Sequence, residues 1–138
     1  EYELTEIYNP PNYTEYESLK FHYKSKDQKY KIVSIGGINF YKNEISQCHN
    51  DMKKIDNEIS FLFKNLKRNT ENQIHPADKS GKSKTKAIRY WFKDKSLISI
   101  VCYDWSEKAS QEHGWTDNLQ LEISLKEFNN WLQYKAYK

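Results

Sequence analysis

From Ile45 onward the apolar positions fall at Ile45, Cys48, Met52, Ile55, Ile59, Leu62 and Leu66, at intervals that alternate between three and four residues. That spacing is the stripe of an amphipathic helix. Asn43 is a suitable N-cap, Glu44 complements the N-terminal dipole, and Lys64, Lys67 and Arg68 crowd the other end. A helix over 43–67 is therefore expected. Phe61 and Phe63 widen the stripe beyond a coiled-coil seam, so the helix should pack on a sheet.

The sheet is written as alternation. Ser18 to Tyr23 and Tyr30 to Ile35 are short β-rich runs joined by a polar loop, which predicts a hairpin. Gly36-Gly37 is expected to end the second run and redirect the chain before Ile38 and Phe40. Lys86 to Asp94 and Ser96 to Trp105 form a second hairpin around Asp94-Lys95. In the later strand Ile98, Ile100 and Cys102 share one face, and Leu97, Val101, Tyr103 and Trp105 the other, so the strand should be central. Leu119, Leu121 and Ile123 alternate as a last strand. Ser124 and Glu127 then fit a capping box for a final helix with Leu125, Phe128, Trp131 and Leu132 on its apolar side.

The expected class is thus α+β: an antiparallel sheet of about five strands with one long and one short helix packed on one side, in the order β-β-α-β-β-β-α. Residues 1–17, with five glutamates, four tyrosines and no cation, read as an acidic, Tyr-rich arm. Residues 18–138 read as a single domain in which 69–85 is a mobile loop and Ser106 to Asp117 a polar one.

Composition sharpens this picture. The hydrophobic share of 37 % is below the roughly 45–50 % usual for globular domains, yet 15 % of the residues are aromatic, which disordered chains lack. The longest nearly apolar run, Leu97 to Tyr103, is too short to span a bilayer. The chain begins at Glu1 with neither an initiator Met nor an apolar leader, as expected of a mature exported protein after signal cleavage and equally of a trimmed chain. Cys48 lies on the helix stripe and Cys102 on the Ile98/Ile100 face; if those faces meet, a disulfide staples helix to sheet. In the chain-entropy model, closing about 54 residues stabilises by about 4 kcal/mol. A bridge implies a periplasmic or extracellular location; two separate buried thiols would leave the cytoplasm as the alternative.

The formal charge of +3 is a sum of opposed blocks. The arm is acidic, 104–127 carries six acids against two lysines, and 79–95 carries seven cations against Asp94. Within this basic segment Lys82, Lys84, Lys86, Arg89, Trp91 and Lys93 are the candidate ligand-binding residues, since cations interleaved with an aromatic suit an anionic surface or single-stranded nucleic acid. Lys outnumbers Arg twenty to two, which weakens the nucleic-acid reading, because Arg is the planar reader of phosphate and guanine. The acidic arm is a candidate screen for this patch.

Catalytic signals are sparse. Gly81-Lys82-Ser83 resembles the end of a phosphate-binding loop, but Pro76 stands where that loop needs glycine. The four histidines form no H-x-x-x-H pair. The Asp104 to Asp117 loop, with Glu107, Glu112 and His113, supplies groups for a divalent cation or for acid-base work but lacks the calcium-loop pattern. The expected function is a non-catalytic exported binding, inhibitor or accessory domain, its partner a protein or anionic ligand, with no cofactor and no catalytic residue assigned. A cytosolic single-stranded nucleic-acid binder is the alternative, and a metal-dependent hydrolase built on 104–117 the third reading.

Overall fold

A computed structural model of the chain describes residues 1–136; the last two residues of the 18–138 span lie outside the described residues. The strands are β1 (Tyr2–Tyr8), β2 (Ser18–Lys24), β3 (Ile32–Phe40), β4 (Lys67–Ile74), β5 (Lys84–Trp91), β6 (Leu97–Asp104) and β7 (Asn118–Ser124). The helices are α1 (Ile45–Leu62), α2 (Glu107–His113) and α3 (Lys126–Tyr134). All seven strands join one sheet in the order β1-β2-β3-β7-β6-β5-β4, and every neighbouring pair is antiparallel.

The mixed class and the antiparallel sheet agree with the pattern, but the sheet has seven strands rather than about five, and three helices interrupt it. The additional strands are its two edges. Tyr2–Tyr8 lies within the stretch read as a free arm, and β4 takes up the first part of the stretch read as a mobile loop, 69–85. Edge strands are held by backbone pairing on one side, so the sequence KRNTENQI needs no apolar alternation to belong. The rest of the supposed loop is ordered around buried Asp78. Its carboxylate accepts from the Ser80 and Ser83 amides (2.9 and 3.0 Å) and from the Ser83 and Ser106 hydroxyls (2.6 and 2.7 Å). Those donors hold the Asp78 carboxyl well below the usual carboxylate range, the Ser83 hydroxyl contributing most. Ser106 also accepts from Ala109 N and so N-caps α2 inside the second expected loop.

The long helix is shorter than its stripe. It ends at Leu62, and Leu66, the last stripe residue, still packs on the core from the turn that follows. Glu44 occupies the N-cap without a side-chain bond, while Asn43 sits at φ +56°. The capping box expected at Ser124 is also not formed. Leu125 is the N-cap, the Ser124 hydroxyl meets Asn129 Oδ1 at 2.6 Å, and Glu127 pairs with Lys31 at 2.7 Å.

α1 lies across one sheet face, burying Cys48, Met52 and Ile59 against Ile88, Tyr90, Ile98, Ile100, Cys102 and Leu119. Cys48 and Cys102 are joined by a disulfide with their Cα atoms 6.1 Å apart. At the far end of the helix Asp56 accepts both Arg68 Nε and Nη2 (2.9 and 2.8 Å) and the Tyr90 hydroxyl, which ties α1 to β4 and β5. α3 packs on the opposite face, where Phe128 contacts Tyr2 and His22. Helices therefore cover both faces, not one, as the two apolar faces of β6 require.

Gly36 and Gly37 lie inside β3 rather than ending it. A Cβ on Gly37 would fall 2.4 to 2.7 Å from ring atoms of Tyr16, and one on Gly36 would fall 2.9 Å from Lys20 Cε. The pair allows two side chains to lie flat on the strand, one on each face.

Candidate functional site

The bare backbone of Gly36 lets the Lys20 stem cross β3 from β2 and reach β7. There Lys20 Nζ donates to Gln120 Oε1 (2.6 Å) and pairs with Glu122 (2.5 Å), both partners of the ion pair being 14 % exposed. Cross-strand register sets His22 on the same face as Lys20, and Ser99 directly opposite Glu122. Phe128 and Leu132 of α3 roof this group, and Val101 and Tyr103 complete the wall of a cavity of about 240 Å³.

The polar wall is preorganised and charge-balanced. Lys20 and Glu122 compensate one another, and burial pushes the His22 imidazole below its ordinary pKa, nearby Lys20 adding to the effect and Glu122 opposing it. His22 is therefore neutral at pH 7. Its Nδ1 is buried without a hydrogen-bond partner, as is the hydroxyl of Ser34, the residue opposite it on β3. Buried polar atoms are normally paired, so this nitrogen leaves His22 with unmet hydrogen-bonding capacity in the wall's interior.

Beside this cavity an aromatic cluster closes one end of the face. Tyr103 stacks on Trp105 (5.8 Å between ring centres), Trp105 meets His75 and Trp115 at 4.6 and 4.4 Å, and His113 lies over Trp115 at 4.3 Å. His113 is thus part of an aromatic stack, while Asp104 lines a groove on the α1 face and buried Asp117 accepts the Trp105 amide at 2.8 Å. Of the groups singled out in 104–117, His113 is thus placed apart from Asp104 and Asp117, while the Asp104 carboxylate is near enough to Asp117 to add to the upward push that burial gives its pKa. Among the described residues no cluster of three or more His, Cys, Asp or Glu is placed to hold a metal ion.

The candidate basic residues are divided by the strand period. Lys82 is exposed in the turn before β5, and Lys93 is exposed just beyond that strand. Lys84 and Lys86 point to the α1 face, opposite Asp104 and Cys102. Arg89 and Trp91 stand on the α3 face, opposite Ser99 and Leu97, where Arg89 pairs with Glu71 and Trp91 Nε1 donates to Asn69 Oδ1 at 2.7 Å. The acidic arm cannot screen this patch, because β1 and β4 are the two opposite edges of the sheet.

No protein-family model, curated protein or solved structure matches the chain. No helix among the described residues is long and apolar enough to cross a membrane.

Lys20, His22, Gln120 and Glu122 escaped the sequence reading. Their signal was present as the polar half of two alternating strands, Lys20 and His22 between Leu19, Phe21 and Tyr23, and Gln120 and Glu122 between Leu119, Leu121 and Ile123. Sequence alternation gives the face of each strand but not which strands are neighbours.

Proposed function

We propose that the protein is a non-catalytic binding domain of an oxidising compartment, and that the cavity between α3 and the sheet receives a polar side chain of a protein partner. The observation that carries this reading is the cavity whose wall sets the compensated Lys20–Glu122 pair and Gln120 beneath α3. A volume of about 240 Å³ is below the roughly 300–1,000 Å³ of small-molecule pockets and suits a single inserted side chain. Charge balance favours a neutral group with both a donor and an acceptor over an anion. Tyr103 in the cavity wall stacks on Trp105, and Trp91 stands on the same sheet face, as aromatic anchors do at protein interfaces. The oxidising location rests on the Cys48–Cys102 bridge, which reducing compartments disfavour. The nucleic-acid reading draws less support, since both arginines are already held by carboxylates, Arg68 by Asp56 and Arg89 by Glu71.

The test is an NMR titration of the oxidised chain with N-acetyl N-methylamides of glutamine, tyrosine and leucine. Saturable shifts at Ser99, Gln120 and Glu122 with the glutamine or tyrosine probe, weakened in Glu122→Gln, are expected. Equal response to leucine, or none to any probe, would reject the site.

A further inference from the structure

The lysines left on the α1 face line a second cavity, and its chemistry differs from the first. It holds about 320 Å³ between His49 of α1 and the strands, with Ile74, Lys84, Lys86, Cys102 and Asp104 in its wall. Register places Lys84 between Ile74 and Asp104, and Lys86 opposite Cys102, so the two ammonium-bearing chains are neighbours on one side of the groove. Neither Lys84, Lys86 nor Asp104 belongs to an ion pair among the described residues. Two uncommitted cations against one carboxylate leave a wall charge of +1 with His49 neutral. Burial and nearby Lys86 favour that neutral state by pushing the imidazole down, with Asp104 opposing.

Of the remaining wall residues Ile74 and Cys102 are apolar, and Asn72, Gln73 and Thr85 are polar but uncharged. The bridged Cys102 is 1 % exposed at the groove, whereas Ile74 is 62 % exposed on the edge strand beside the two lysine stems. An exposed isoleucine next to unpaired ammonium groups is matched by a molecule with one negative charge and a short apolar body. We propose that this groove binds a small organic monoanion, its charged group between Lys84 and Lys86 and its apolar body along Ile74 and the lysine stems. Charge-assisted hydrogen bonds fix the anionic end, and removal of Ile74 from water favours the other. The site lies on the face opposite the Lys20–Glu122 cavity and does not depend on it.

Hexanoate is the probe, with hexanol as the body without the charge and inorganic phosphate as charge without the body. Titrated into the oxidised, full chain and followed by amide NMR, hexanoate should give saturable shifts at Lys84, Lys86 and Asp104. Hexanol, phosphate and the Lys84→Gln/Lys86→Gln double variant should each bind about tenfold more weakly, a difference of about 1.4 kcal/mol. Both lysines are exposed, so the double variant keeps the fold, which its amide spectrum verifies. Unsaturable hexanoate shifts, phosphate or hexanol binding as tight as hexanoate, or unchanged affinity in the double variant would overturn the proposal.

Discussion

At the scale of single residues, Gly37 is the position where one added methyl group has the most to displace. Its missing Cβ is where the Tyr16 ring rests, on the sheet face that α1 occupies. Gly37→Ala should destabilise by about 1–3 kcal/mol through overpacking, read as a lower urea midpoint. In a Tyr16→Ala background the same substitution should lose most of that penalty, because the obstructing ring is gone. A penalty that persists undiminished there would mean that backbone propensity, not the ring, makes glycine necessary. The same reasoning explains why Gly36-Gly37 misleads as a strand terminator: neither has a positive φ, and what the pair supplies is room.

At the scale of elements, the disulfide links the first turns of α1 to the middle of the sheet. It closes a loop with a sequence separation of 54 that includes most of α1 and all of β4 and β5, so the bridge restrains most of the central chain in the unfolded state. Replacing both cysteines by alanine should cost about 4 kcal/mol in the chain-entropy model. The expected readout is a fall in melting temperature that reductant reproduces in the wild type and does not deepen in the variant. The Asp56–Arg68–Tyr90 cluster at the other end of α1 should keep that end docked. Hydrogen exchange is therefore expected to rise first around Cys48 rather than around Ile59.

For the whole molecule, pH dependence follows from groups on different elements with shifts of the same origin. Burial is the leading cause that lowers the imidazole pKa of His22, His49 and His75. The unfolded chain takes up these protons near the ordinary histidine value of about 6.5, before the folded one does. Stability from keeping them neutral is thus complete above about 6.5 and is lost as pH falls from there toward the lowered folded values. Asp78 acts in a lower window with its folded pKa depressed: its contribution is present above the ordinary carboxylate value of about 3.9 and declines as pH falls below it. Urea midpoints across pH 8 to 3 should fall in two steps, and Asp78→Asn should flatten only the lower one. One smooth decline unaffected by that substitution would contradict the assignment.

The sequence by itself determined the elements whose side chains alternate or repeat against a core. The helix stripe from Ile45, the hairpin of β5 and β6, the last strand and the pairing of Cys48 with Cys102 were all legible, because burying one face forces a periodic pattern. The edge strands β1 and β4 were not, since backbone pairing to a single neighbour imposes no such pattern on Glu3, Glu6 or Asn69 to Gln73. Nor were the Asp78 and Ser106 turns, whose order comes from hydrogen bonds between residues 28 apart. Strand order was the decisive unknown. Only the tertiary arrangement sets β3 beside β7, and that adjacency brings Lys20 across Gly36 to Glu122 and separates Lys84 and Lys86 from Arg89 and Trp91 by the thickness of the sheet.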